Sequence, residues 1–444
     1  MTKDMTSGSP AKLILFFTIP LLIGNLFQQL YNMADTFIVG RTLGVNALAA
    51  VGCTGSIMFF IIGFAQGLTS GFSIVISQRF GAGDMEGVRK SFATGILLSA
   101  GVTVLLTVLS VTFTRPLLSL LHTPAEIIDD AQSYLVVIFG GIGASVLFNL
   151  LSNSLRALGD SRTPLIILII ACVLNIILDY LFILCFHMGV QGAAVATIVA
   201  QLVSGLLCIF YIKKSFPLFR LTRGDWKITS GDLYSHLRIG LPMGFQSSII
   251  AMGTLIIQFS LNNLGALAVA AFTAAQKVDA IATMPVLSFG MTMATYAGQN
   301  YGAHKIDRIR KGVVQCSFIS VSFSIAAGLA NILAGHMLAG VFVTGQPEVI
   351  DHAHTYLTIN GAFYFVLALL YIFRFTLQGL GQSFVPTFAG IMELIMRSIA
   401  AVILATTFGY TGACWANPLA WLGSCIPLSI AFFLTMRRLI KFET

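Results

Sequence analysis

The sequence predicts an all-α integral membrane protein with twelve transmembrane helices arranged as two six-helix lobes. Three observations carry that expectation. Of 444 residues, 57% are hydrophobic and only 9% are charged, whereas soluble domains carry about a quarter charged residues. Apolar runs of roughly 20 residues, the length that crosses a bilayer core as a helix, recur between short polar breaks. The chain also resembles itself when slid by roughly 220 residues, the signature of an internal repeat.

The predicted spans are 13–38, 47–77, 91–114, 134–155, 164–186 and 190–212, then 235–263, 267–297, 312–343, 355–378, 386–408 and 412–436. Those longer than about 25 residues require tilt or bending to fit the hydrocarbon layer. The opening stretch "MTKDMTSGSPAKL" lacks a small-residue cleavage site behind a short apolar core, so the first span is expected to be retained. The seven cysteines lie in or beside apolar runs without metal-ligand spacing and read as reduced packing residues.

The net charge of +8 is topological rather than a nucleic-acid signature. An inside N-terminus puts Arg79, Arg89, Lys90, Lys213, Lys214, Arg220, Arg223, Lys305, Arg308, Lys311, Arg437 and Arg438 on the cytoplasmic side. It leaves Arg41, Arg115 and Lys277 opposite. That asymmetry follows the positive-inside rule and predicts both termini in the cytoplasm with an even number of spans.

The repeat covers the whole length. "QRFGAGDMEGVRK" (78–90) lies over "QNYGAHKIDRIRK" (299–311), "PAEIIDDAQSYL" (124–135) over "QPEVIDHAHTYL" (346–357), and "LRALGDSRTP" (155–164) over "LQGLGQSFVP" (377–386). "GVQGAAVAT" (189–197) lies over "GYTGACWAN" (409–417), and Pro20 matches Pro242. Six spans per repeat is even, so both repeats enter the membrane from the same side, as in parallel-repeat transporters. The expected organisation is an N-lobe at 1–212, a basic cytoplasmic linker at 213–234 along the inner leaflet, and a C-lobe at 235–444.

Transporters place substrate and ion sites near the midplane, so ionisable residues inside spans are the informative ones. Asp35, Asp179 and Glu393 lie well inside, and Asp279 is expected near a span end. An aspartate at the centre of a lone helix costs roughly 2.5 to 3.5 kcal/mol even on a lenient scale, which argues against lipid exposure of Asp35 or Asp179. Gln28, Asn32 and Asp35 stand at i, i+4 and i+7, and Asn175 and Asp179 at i and i+4, so each set shares a helix face. Thr197, just past the turn "HMGVQG", can lie back beside the fifth span. No basic residue lies in either aspartate's span. Such a desolvated carboxylate is an H⁺ site or, when ionised, a Na⁺ site, whereas the amides and Thr197 alone could equally be interhelical glue.

The second half differs in charge. Glu393 and Arg397 at i and i+4 are spaced for an intrahelical ion pair, and Arg374, near a helix end, is expected to snorkel to the cytoplasmic surface. Pro20 removes a backbone donor from the first helix and is a candidate hinge. Clusters such as "SIMFFIIGF" and "SFGMTMATY" supply Phe, Met and Tyr suited to a flat lipophilic cation. The candidate cavity residues are Gln28, Asn32, Gln246, Met291, Glu393 and Arg397. No Walker-type loop, His or Cys cluster, or hydrolase motif is found, so neither an enzyme nor a cofactor or resident metal is expected beyond a Na⁺ at Asp35 and Asp179.

Together, "IPLLIGNLFQQLYNMADTFIVGRTLGVNALAAVG", the paired "QRFGAGD" and "QNYGA" loops, "LRALGDSRTP" and "NIILDYLFI" followed by "GVQGAAVATI" resemble the multidrug and toxic compound extrusion (MATE) family of secondary transporters. The resemblance covers essentially the whole chain. It implies a V-shaped bacterial inner-membrane protein, monomeric, that exports organic cations in exchange for H⁺ or Na⁺. Members with an N-lobe ion site use positions that fall here on Asp35, Asn175, Asp179 and Thr197, and the bend in their first helix falls on Pro20. Some branches add carboxylates in the seventh and tenth helices; this chain lacks them, which argues against a C-lobe ion site. The rival readings are a lipid-linked precursor flippase of the same superfamily, which calls for extra spans and a cationic cavity, and a receptor or scaffold without transport.

Overall fold

The computed structural model describes residues 4–121, 123–343 and 346–443, and all regular structure among them is helical. The first half comprises α1 (Pro10–Leu43), α2 (Val45–Gly81), α3 (Met85–Leu120), α4 (Ile128–Gly140), α5 (Ile142–Ala157), α6 (Arg162–Tyr180) and α7 (Gly189–Ser215). The second comprises α8 (Ser230–Leu264), α9 (Ala266–Gly302), α10 (Ile306–Gly340), α11 (Pro347–Gly361), α12 (Tyr364–Gly379), α13 (Phe384–Ile399), α14 (Ala405–Cys414) and α15 (Ala416–Glu443). Among the described residues, ten spans are long and apolar enough to cross a membrane, and twelve when each of two bent pairs counts as one.

Those bent pairs are α4 with α5, at 47°, and α11 with α12, at 50°. The sequence reads each as a single span, 134–155 and 355–378. The breaks fall at Gly140 and Gly141 and at Gly361, where the missing side chain lets the helix turn. At the second break the backbones of α10 and α11 nearly touch: a Cβ on Gly328 would lie 2.2 Å from the Gly361 carbonyl oxygen.

The duplication is written into the backbone. Left-handed conformations occur at Gly44 and Gly265, Gly83 and His304, Gly159 and Gly381, and Gly189 and Gly409, one member of each pair in each repeat. A π-helical turn follows α6 at Leu181–Cys185, and another follows α13 at Ala400–Leu404. Inserted turns of this kind cluster at functional positions, and each stands directly behind the polar pair of its helix, Asn175 and Asp179 in one and Glu393 and Arg397 in the other.

The helices form two compact units, one built mainly of Ile23–Ser248, the other of Met5–Leu22 with the chain from Ile249 onward. Two long helices are therefore divided: α1 changes unit two residues after Pro20, and α8 six residues after its repeat mate Pro242. In the first unit the α8 segment meets α2 glycine to glycine. A Cβ on Gly71 would fall 2.5 Å from Gly240 Cα, and one on Gly67 2.4 Å from the Met243 carbonyl oxygen. Gly67 and Gly71, like Gly240 and Gly244, stand four apart, the small-residue spacing that lets membrane helices approach closely. In the second unit the repeat-related crossing, α1 on α9, is bridged instead by Thr18 and Thr292, whose hydroxyls lie 2.8 Å apart. Around it Ile14, Phe17 and Leu21 of α1 join Phe289, Met293 and Leu370 in that unit's core.

The segment between α7 and α8 is held by the first unit. Phe216 and Phe219 are buried in one of its apolar clusters, with Phe219 4.3 Å from Phe92 between ring centroids. Asp225 accepts from the Thr222 N–H at 2.7 Å, the Thr222 hydroxyl at 2.8 Å and Arg89 Nε at 3.3 Å. Burial alone would push this carboxyl up, but the Thr222 donors and Arg89 outweigh it and hold it below the usual carboxylate range.

Two measurements follow from this packing. Gly71→Val forces α2 and α8 apart and is expected to cost about 1 to 3 kcal/mol, read as a lower melting temperature in detergent, whereas Thr18→Ala loses only a membrane hydrogen bond worth about 0.6 kcal/mol. The native contribution of Asp225 is full at neutral pH, begins to fade as pH falls through its unfolded value near 3.9, and is gone below its lower folded value. The melting difference between wild type and Asp225→Asn is therefore expected to be largest at pH 7 and to close towards pH 3.

Candidate functional site

In the first unit three helices converge on a polar centre. Asp179 ends α6 one turn beyond Asn175, and both are fully buried. With the Asn175 amide turned so that its nitrogen faces the carboxylate, Nδ2 donates to Asp179 Oδ2 at 3.1 Å and its oxygen accepts from the Thr197 N–H of α7 at 3.2 Å. The Thr197 hydroxyl in turn accepts from Tyr31 Oη of α1 at 3.0 Å. Tyr31 lies one helical turn before Asp35, whose carboxyl group is buried within hydrogen-bonding reach of that of Asp179.

Both aspartates keep one buried oxygen without a partner, Oδ1 in each case. Two ionised carboxylates in contact repel, and neither can donate to the other. A proton on one of them, or a monovalent cation between them, resolves both difficulties. The site can therefore hold an exchangeable positive charge, with the amide of Asn175 and the hydroxyls of Tyr31 and Thr197 fixing its geometry.

The structure thus brings Asp35, Asn175, Asp179 and Thr197 together, and adds Tyr31 and Tyr134, which sequence reasoning passed over. Tyr134 of α4 is buried within electrostatic reach of Asp35, Tyr31 and Asp179. The signal for Tyr31 was its i, i+4 relation to Asp35; Tyr134 had none, since it comes from a separate helix. Gln28 and Asn32 do not join the centre: both are exposed on α1. Gln246 is buried in the α8 segment of the first unit, and Met291 is half-buried against the core of the second. Pro20 is buried within an unbroken α1.

The second unit answers its charge differently. Glu393 accepts from Arg397 Nη2 through Oε1 at 2.8 Å, the ion pair its spacing predicted, and from Arg374 Nη2 through Oε2 at 2.7 Å. Arg374 therefore does not snorkel. It is buried, donates also to Ser424 at 3.0 Å and packs over the Tyr371 ring. The second carboxylate oxygen, which Arg397 leaves open, draws it inward. Gly253 leaves room for the cluster, since a Cβ there would meet Arg397 Nη1 at 2.6 Å. Asp279 is likewise misplaced by the sequence: it lies about three and a half turns from the nearer end of α9. There it accepts from Tyr364 Oη at 2.6 Å.

Comparison with known proteins agrees with this architecture. The MatE family model matches twice, over residues 20–181 and 242–403, one match per repeat. The "Probable multidrug resistance protein YpnP" of Bacillus subtilis is 29% identical over 93% of this chain and 90% of its own length. An "FAD transporter" of Shewanella oneidensis is 25% identical over 94% of this chain and 92% of its own. Among solved structures, an outward-facing multidrug resistance MATE family transporter of the MOP superfamily superposes with a TM-score of 0.91 at 25% identity, covering 99% of both chains. With its family model filled twice and the two-lobed helical fold in place, this chain belongs to the MATE family and is a membrane transporter, not an enzyme.

Proposed function

We propose that the chain exports lipophilic organic cations across a bacterial plasma membrane by exchange for H⁺ or Na⁺, with alternating access and both termini in the cytoplasm. The contact between the carboxyl groups of Asp35 and Asp179 carries this reading. A buried pair of acids with no basic partner among the described residues binds and releases a small cation as part of its own electrostatics. The drug-resistance names of relatives such as YpnP support drug export.

In this scheme the pair takes up H⁺ or Na⁺ while open to the outside. The repulsion between the carboxylates is relieved, α1 repacks about Pro20, and the substrate's hold is weakened so that it leaves outward. On the inside the ion is released, and the ionised pair again attracts a cationic substrate. Gln28 and Asn32, exposed on the same stretch of α1, supply polar contacts to the substrate, with Gln246 and Met291 as further cavity residues. Glu393 and Arg397, already engaged with Arg374, lock the second unit. Inward movement of one positive charge contributes about 2.3 kcal/mol per 100 mV. The monomer suffices, with 1–212 and 235–444 as functional lobes joined by 213–234.

The test is efflux of a fluorescent cation from proteoliposomes under a pH gradient and, separately, a Na⁺ gradient. Wild type is expected to respond to one of them, which names the ion. Asp35→Asn and Asp179→Asn are each expected to fall to the level of empty vesicles with expression and melting temperature retained. Full export by both single variants would sink the proposal.

A further inference from the structure

One carboxylate remains outside these accounts. Asp279 stands in the interior of α9, yet among the described residues no Lys, Arg or His lies within ion-pair distance of it. Glu393, the other acid deep in this unit, has two arginines. Asp279 instead ends a directed hydrogen-bond relay: Asn331 Nδ2 of α10 donates to Tyr364 Oη at 2.9 Å, and Tyr364 Oη of α12 donates to Asp279 Oδ1 at 2.6 Å. Every donor points towards the carboxylate, the arrangement that supports a negative charge. Tyr364 and Asn331 are buried, and Asp279 is half-buried. Among the described residues, the helices packed on α9 place no Lys, Arg or His within ion-pair distance of that carboxylate. Tyr364 of α12 donates to Asp279, and Tyr356 of α11 and Tyr371 of α12 lie within its electrostatic reach.

The repeat adds a second, independent observation. Tyr134 and Tyr356 occupy the same place in "AQSYL" and "AHTYL". Tyr134 lies within electrostatic reach of the acid pair of the first unit, and Tyr356 within that of Asp279 in the second. The acids themselves are not repeat-related: Asp35 and Asp179 sit on α1 and α6, Asp279 on α9. Each unit thus keeps the same tyrosine within electrostatic reach of a carboxylate supplied by a different helix.

We infer that Asp279 is a second site for a monovalent cation, H⁺ or Na⁺, with Tyr364 and Asn331 as its positioning residues. The expectation that the second half has no ion site rested on the absence of carboxylates from two particular helices, and α9 supplies one instead. The inference rests on the antiport reading for its physiological meaning, because a second ion per cycle would add driving force. Occupancy itself can be measured without transport.

The experiment uses purified full-length protein in nanodiscs, with infrared difference spectra of carboxyl groups on pH change and on Na⁺ addition, and equilibrium binding of radioactive Na⁺. The Asp35→Asn, Asp179→Asn double variant silences the first site. It is expected to keep a carboxyl band, or one bound Na⁺, that disappears when Asp279→Asn is added. Tyr364→Phe in the double-variant background is expected to keep that signal and move its pH or Na⁺ midpoint, which a purely structural tyrosine would not do. Melting curves and an Asp279→Glu variant that restores the signal separate loss of the site from loss of folding. If adding Asp279→Asn leaves both the carboxyl spectrum and the Na⁺ binding of the double variant unchanged, the second site is overturned. Failure of the antiport reading would show up differently, as cation binding intact but no gradient-driven efflux.

Discussion

A carboxylate within the membrane cannot be left ionised, unpaired and exposed to lipid, and the polar architecture of this chain is organised around that constraint. The penalty of roughly 2.5 to 3.5 kcal/mol per group on the lenient scale is a sizeable part of a domain's net stability. Three solutions are present. Glu393 is enclosed by Arg374 and Arg397. Asp35 and Asp179 are set against each other with Asn175, Tyr31 and Thr197 around them. Asp279 is placed at the end of a tyrosine and asparagine relay. The first solution is closed, since both oxygens of the Glu393 carboxylate are engaged by guanidinium groups. On the reading proposed above, the other two are completed by something mobile and positive, and a static ion pair there would remove the capacity to respond to a gradient.

The duplication shows how one backbone carries such different chemistry. Left-handed turns and π-helical turns recur at matched positions, so the geometry of each repeat was retained as a unit. Within that frame individual positions diverged freely. The position of Asn175 in the first repeat is that of Arg397 in the second, so the same place on the same helix holds a neutral amide beside an acid in one unit and a guanidinium in the other. At the helix crossing near the prolines, glycines make the contact in one unit and threonines in the other. Close packing constrains the size of the residues at that crossing and leaves their polarity open.

Most of the helical architecture was legible in the sequence because apolar run length and repeat spacing are direct consequences of bilayer thickness and of gene-scale duplication. The Asn175 and Asp179 face was legible because four-residue spacing on a helix is local. What failed was non-local. Arg374 looked like a terminal arginine free to reach water, and only the fold shows Glu393 with an unused oxygen beside it. Asp279 reads as peripheral in the sequence because hydropathy marks neither where a 37-residue helix is centred nor that a tyrosine on another helix donates to it. The bends in the fourth and tenth spans were invisible for a related reason: glycine is common in membrane helices, and only packing decides which glycine becomes a break.

The division of α1 ties the acid centre to the rest of the molecule. Its latter part carries Tyr31 and Asp35 and belongs to the first unit, while its earlier part packs Ile14, Phe17 and Leu21 into the core of the second. A rigid helix shared in this way would transmit any repacking at Asp35 along its full length and strain the apolar contacts at its other end. Pro20, two residues before the division, lacks the N–H that would complete the ladder there, so bending at that point costs less than elsewhere in the helix. Bending there would let the latter part answer to the charge on Asp35 while the earlier part stays packed. The same logic applies to α8 at Pro242, except that its portion in the second unit contains no carboxylate, so it would follow α1 without sensing the ion itself.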